Sequence, residues 1–241
     1  MKIIFLIGVL LFLIQCSANF ENEYEIESMY ASVAPIIDGN LNENIWKIVT
    51  PIVLKENHSG NDVSDPELRT EVKTCYDEST IYLVFICNDP DIWSSSTARD
   101  EYLWKEEAIE VFIDVDKVPE NYVEIEVSPA NILFDSYIVD PEIIDVAETA
   151  RFDLQGIRTG VKINGTINER DDRDKNWTVE IAIPFKDLNT ENNPRVTSKT
   201  EIKINFFRLD KNRGMNFGSY AWSPTGARFH KPSVFGKVIF K

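Results

Sequence analysis

Ala108-Ile109-Glu110-Val111-Phe112-Ile113-Asp114, followed after a short polar stretch by Tyr122-Val123-Glu124-Ile125-Glu126-Val127, is the passage that decides the fold. Both runs alternate with a period of two, the signature of a strand with one buried face. Ile109, Val111 and Ile113 share one face of the first run, and Val123, Ile125 and Val127 share the matching face of the second. The opposite face carries Ala108, Glu110 and Phe112, then Tyr122, Glu124 and Glu126. A hairpin turning around Val118 sets Glu110 directly opposite Glu126. Like charges directly opposite are destabilising, so the pair calls for relief by a Lys or Arg, a bound cation or the hydroxyl donors of a ligand. A third run, 132–138, is expected to add Asp135 and Tyr137 to that face beside Glu124. The plainer reading of the same residues is a solvated acidic face with Lys105 and Arg208 nearby.

Working outward, the same alternation recurs at 71–76, 81–87, 157–163, 177–183, 201–209 and 233–240. Turn-rich stretches separate the runs at 57–66, 117–121, 164–176 and 189–198. Helical patterning is confined to 42–49 and 184–188. No fixed-period repeat and no low-complexity linker interrupts the chain of 241 residues, of which 43% are hydrophobic and 27% charged. The expected architecture is all-β: one antiparallel β-sandwich with short helical connections, spanning 33–241. Ahead of it, 1–18 reads as a signal peptide and 19–32 as a tether.

The leader begins at Lys2, continues as an apolar run from Ile3 to Ile14 and ends in Gln15-Cys16-Ser17-Ala18. A run of this length is too short to span a bilayer, which takes roughly 20 apolar residues. Two fates are open: lipidation at Cys16, or cleavage after Ala18. Either gives an exported protein, periplasmic or at the cell surface, with a lipid anchor as its one link to a membrane. Lys and Arg number 25 against 40 Asp and Glu, a formal net charge of −15. Phosphate binding needs clustered cations, so nucleic acid is excluded as a partner, and neutral or cationic ligands fit better. Cys75 and Cys87 lie on adjacent strands. Hairpin register pairs Cys75 near residue 82 and Cys87 near residue 70, about 13 Å out of step. That is beyond disulfide reach, so both are expected as buried free thiols.

Chemistry-bearing patterns are few. His58 and His230 are the only histidines, too few for a histidine metal site, and no phosphate loop or dinucleotide fingerprint is present. Sugars present flat C–H faces to aromatic rings and hydroxyls to carboxylates, amides and guanidinium groups. Of the five tryptophans, Trp46 and Trp177 occupy apolar positions expected in the core. Trp104 and Trp222 sit in polar loops, where ring stacking on a ligand and covering a sandwich end are both open readings.

Ile37-Asp38-Gly39-Asn40-Leu41-Asn42-Glu43 with Trp46 resembles the opening of family-9-like carbohydrate-binding modules. The runs at 108–114 and 122–131, the stretch Trp177-Thr178-Val179-Glu180-Ile181-Ala182-Ile183-Pro184-Phe185, and Ala221-Trp222-Ser223-Pro224 with Phe229-His230-Lys231-Pro232 are similar to the same family in order. The resemblance covers about 33–241. It implies a sandwich that binds oligo- or polysaccharides of xylan or cellulose type without catalysis, assisting glycoside hydrolases in trans, and carrying structural calcium. It also implies a site in which Trp104, Trp222 and Glu110 hold the sugar, with Glu126, Arg99, Arg208 and Asn131 on its hydroxyls. Two alternatives remain. One is a haem-binding electron-transfer domain of related fold, for which Met29, Met215, His58 and His230 are the available ligands. The other is a glycoside hydrolase using paired carboxylates.

Overall fold

The computed structural model describes residues 24–114, 121–188, 201–215 and 217–241. The leader with Cys16, the hairpin tip at Val118 and the turn at 189–198 lie outside the described residues. In chain order the elements are β1 (Glu25–Tyr30), α1 (Asn44–Ile48), β2 (Ile52–Val53), β3 (Lys55–Glu56), β4 (Thr70–Tyr76), β5 (Thr80–Asn88), β6 (Ala108–Asp114), β7 (Tyr122–Val127), β8 (Leu133–Ile138), α2 (Val146–Thr149), β9 (Arg158–Asn164), β10 (Asn176–Pro184), β11 (Ile202–Asp210), β12 (Gly218–Ala221) and β13 (Gly236–Phe240). The alternating runs became strands because each has one apolar face to bury. Their bounds agree with the pattern to within three residues.

The strands run β8-β7-β6-β11-β13-β1-β4-β5-β10-β9 in one continuous path. That path folds over on itself at β1. Glu25 to Ser28 pair with β13, while Met29 and Tyr30 pair with β4, so β1 belongs to both layers and makes a nearly closed, barrel-like sandwich. Both β1 pairings are parallel, which corrects the expectation of a purely antiparallel sandwich. It also corrects the tether, since 25–30 forms the strand that joins the layers. The two layers meet in a shared core, where Phe85 packs edge-on against Phe206 at 5.8 Å between centroids. Trp177 is buried there as expected. Cys75 pairs with Tyr82 and Cys87 with Thr70, and both thiols are free and buried, as the register predicted.

The outer face of the β4-β5-β10-β9 layer explains the first motif of the chain. Glu180 on β10 is fully buried and accepts from the Asp38 and Gly39 backbone N–H groups at 3.0 and 2.8 Å, and from Trp46 Nε1 at 2.9 Å. Gly39 has φ +80°, and a Cβ there would lie 2.5 Å from the Lys162 backbone nitrogen. Only glycine permits both that dihedral and that approach. Trp46 is thereby pinned against Tyr82 and Val84, in the core role expected of it.

Candidate functional site

The outer face of the other layer carries the acidic alternation. Register sets Glu110 opposite Glu126, as the hairpin predicted, and Phe112 opposite Glu124. Glu124 in turn faces Ser136, and Glu126 faces Phe134. The third run is therefore one residue out of step with the expectation. Asp135 lies opposite Ile125 on the core side, and Tyr137 packs on the core. Phe134 and Ser136 are what β8 contributes to the acidic face.

This face is not solvated. Residues around α2, with Ile144, Val146 and Thr149, and the segment Ala227-Arg228-Phe229-His230 fold over it and leave an open-mouthed cavity of about 440 Å³. Glu110 and Glu124 line it from the sheet, and Trp104, Phe134, Leu209, Phe217 and Phe229 supply apolar walls. Trp104 is carried by a single 3-10 turn whose Leu103 is fully buried. Its ring stacks on Tyr102 at 4.7 Å and meets Phe134 edge-on at 5.3 Å. His230 stacks on Phe112 at 5.3 Å, and its Nδ1 is 2.6 Å from the Tyr122 hydroxyl.

One carboxylate oxygen from each of Glu110, Glu124 and Glu126 lies within 4.8 Å of the other two. Ser136 donates to Glu124 at 2.8 Å, whereas no side chain donates to either oxygen of Glu126. Burial in a low-dielectric setting penalises the charged form. It pushes Glu124 up to about 7, partly countered by the Ser136 bond. Burial and the neighbouring Glu124 charge push Glu110 well above the ordinary range. Burial, then Glu110 and Glu124, do the same to Glu126, countered in part by the Trp104 backbone N–H. His230 is pushed down to about 4 by burial and by Arg228, so the imidazole is neutral near pH 7.

Of the residues expected at the site, Trp104, Glu110 and Glu126 are brought together. Trp222 is not among them. It is 6% exposed in the shared core, between Tyr24 and Phe206, and a Cβ on Gly236 would come within 2.4 Å of its ring. A tryptophan so enclosed has no open face, which corrects its expected role as a stacking platform. Arg208 is fully buried on the core side of β11, held by Asp89 at 2.8 Å and Asp210 at 3.3 Å. Arg99 pairs with Asp135 and with Asp153 at 3.0 Å, away from the cavity. Asn131 is an exposed turn residue with φ +58°, its N–H donating to the Ser128 carbonyl. Sequence reasoning missed Phe134, Phe217 and Arg228 altogether. A correct register for the third run would have found Phe134. Phe229 stood inside a quoted motif without a role attached to it, and His230 was weighed there only as a haem or metal ligand.

A second buried acidic cluster, Asp89, Glu107 and Asp210, surrounds Arg208. Glu107 is pushed up to about 10 by burial and by Asp89. Glu107 Oε1 and Asn212 Oδ1 are buried without hydrogen-bond partners. Three carboxylates against one guanidinium, with oxygen donors to spare, is a set that a hard cation such as calcium fits. Haem fits less well among the described residues: His230 is the one histidine at the cavity, its Nδ1 is bonded to Tyr122, and Met29 and Met215 are exposed.

Solved structures with the same fold include a Bacteroides uniformis protein carrying a provisional carbohydrate-binding designation, with TM-score 0.66 and 14% identity over 90% of this chain and 99% of that one. A family 9 carbohydrate-binding module from Caldicellulosiruptor kristjanssonii, solved with glucose and with cellotriose, gives TM-score 0.61 and 17% identity over 90% of this chain. It is covered over 95% and 93% of its length in the two complexes. In sequence, a protein of Arthroderma benhamiae named "Extracellular protein" is 26% identical over 185 residues, 73% of this chain and 80% of that one. The family model described as carbohydrate family 9 binding domain-like matches residues 37–241, and the chain belongs to that family.

Proposed function

We propose that this protein is an exported, non-catalytic carbohydrate-binding module whose ligand occupies the cavity over Glu110 and Glu124, against Trp104. The observation that carries the reading is one open-mouthed pocket joining an aromatic wall to buried carboxylates. Aromatic rings take the C–H face of a pyranose, and carboxylates accept from its hydroxyls. The volume of about 440 Å³ suits a mono- or disaccharide unit, or the end of a longer chain. Family membership and neighbours solved with glucose and cellotriose support a sugar as the ligand.

Binding is favoured over hydrolysis by the arrangement of the acids. Glycoside hydrolysis needs two carboxyls flanking the scissile bond. Here Glu110 and Glu124 line the space from adjacent strands of one sheet, with Glu126 beside them on the same side. The signal-peptide-like leader and the name of the fungal relative support export, with Cys16 as the lipid attachment point and polysaccharide-degrading hydrolases as partners in trans. Calorimetric titration with glucose and cellotriose tests the reading. Saturable binding that Trp104→Ala removes is the expected result; no binding of any sugar by the folded protein would overturn it.

A further inference from the structure

We propose that the ligand of this cavity carries a primary ammonium group, the sugar being an amino sugar with a free amine, and that Glu110, Glu124 and Glu126 receive that group. The inference rests on the carbohydrate reading above and narrows its substrate class. Its first support is the charge inventory of the cavity. Three carboxyls at least nine-tenths buried converge within 4.8 Å, and among the described residues none of them makes an ion pair. The nearby cations are engaged elsewhere. Arg228 binds Glu142 and the Pro141 carbonyl, Arg208 lies behind the sheet with Asp89, and Lys105 sits 4.5 Å over the Tyr102 ring.

The second support is Glu126 itself. It is fully buried, no side chain donates to either of its oxygens, and it lies directly across from Glu110, one of the two acids that line the cavity. A buried acceptor left unmatched is costly, more so when charged. A structure that keeps such a group reserves it for a donor from outside. An ammonium has three N–H donors and no acceptor, against three carboxyls with one internal donor among them. A neutral hydroxyl can donate one hydrogen bond but leaves the charge uncompensated. A bare divalent cation would satisfy the carboxylates and give no role to Trp104 and Phe134. An ammonium on a pyranose uses both, because the ring packs on the aromatic wall while the cation meets the acids.

The test compares four probes by calorimetry on the full chain at about pH 6.5: a β-linked glucosamine trisaccharide, its fully N-acetylated counterpart, cellotriose and trilysine. The glucosamine trisaccharide is expected to bind at least ~10-fold more tightly than either neutral sugar. That preference should vanish in Glu126→Gln, a change that keeps the size and neutral shape of the protonated side chain, and Trp104→Ala should abolish sugar binding. Equal affinity for charged and neutral sugars would overturn the amine assignment and leave the carbohydrate reading standing. Equal affinity for trilysine would overturn it too, since the acidic surface alone would then account for the attraction. Calcium binding lost in Glu126→Gln, without preference for the amine, would assign the triad to a metal. Failure of every sugar would sink the carbohydrate reading and this inference with it.

Discussion

Trp104 and Trp222 both stand in polar loops by sequence, yet one is half-buried at a cavity and the other is 6% exposed in the core. The difference lies in what each loop continues. Trp104 sits on a single turn anchored by Leu103, whereas Trp222 directly follows β12 and its N–H still donates to the Phe206 carbonyl, so its ring turns inward. Trp104→Ala should cost at least ~10-fold in sugar affinity with a small change in melting temperature, as expected of an anchor at a binding site. Trp222→Ala should cost about 3–5 kcal/mol, as core truncations do. Thermal melts and titrations of the two variants check this; a stable Trp222→Ala would remove that residue from the core. The carboxyl triad gives a second residue-scale expectation. A carboxyl whose folded pKa is raised holds its proton longer in the folded chain, so its contribution is in place below the unfolded value. That contribution is lost as pH rises through the folded value, about 7 for Glu124. Melting temperature should therefore fall between about pH 5 and pH 8, and Glu126→Gln should flatten the slope. A wild-type curve that rises across this window would contradict the buried-acid account. The face bearing Glu110 and Glu126 was legible from alternation alone. Its burial was not, because the covering residues 144–149 and 227–230 come from segments with no strand or helix periodicity strong enough to assign.

Among the elements, the strands easiest to read were those with one strongly apolar face, such as β6 and β7, whose bounds agree with the pattern at both ends. β1 was missed because its sequence Glu-Ile-Glu-Ser-Met-Tyr buries little beyond Ser28. Its strand character comes from being paired on both sides, by β13 along one half and β4 along the other, and pairing across the chain leaves no local signal. The third acidic-face strand failed for a related reason. Ile132, Phe134 and Ile138 share one parity with Ser136, while Leu133, Asp135 and Tyr137 share the other, so either face could have been inward by composition. A one-residue slip exchanges the two faces completely. The segment leading into α1 tests what an element contributes when it is neither strand nor long helix. Gly39→Ala would force a Cβ to within 2.5 Å of the Lys162 nitrogen at φ +80° and pull two backbone donors off Glu180. Such strain costs about 1–3 kcal/mol, or roughly 2–10 °C in a domain of this size. Tryptophan fluorescence during unfolding reports whether Trp46 is released. An unchanged melting temperature would mean that the Asp38–Gly39 turn does not fasten this face.

At the scale of the whole molecule, two features lie outside any single element: the address of the chain and the fastening of its layers. The leader was read from composition, and Cys16→Ser should move the protein from the membrane fraction to the soluble fraction if that cysteine is lipidated; unchanged fractionation would favour cleavage after Ala18. The fastening concerns Arg208. From β11 in one layer, its guanidinium reaches the Thr70 hydroxyl at 3.2 Å and the Asn88 carbonyl at 2.6 Å in the other, beside Asp89. Glu107 and Asp210 approach the same spot from the first layer. A buried cation with an excess of buried carboxylates binds the layers only if that excess is neutralised, by protons or by a metal ion. Glu107, pushed up to about 10, takes the proton in the metal-free chain. A calcium ion would displace it and draw on Glu107 Oε1 and Asn212 Oδ1, which have no partner otherwise. Stabilisation by a ligand that binds only the folded state grows with its concentration, reaching about 2.7 kcal/mol at 100 times Kd. Millimolar calcium should therefore raise the melting temperature by several degrees relative to excess chelator, and more at pH 8 than at pH 6, because binding releases a proton. Glu107→Gln should abolish the calcium response while leaving sugar binding at the cavity intact. A calcium response that survives Glu107→Gln but disappears in Glu126→Gln would move the metal to the cavity. With no response at either pH, protonated Glu107 alone would hold the layers around Arg208.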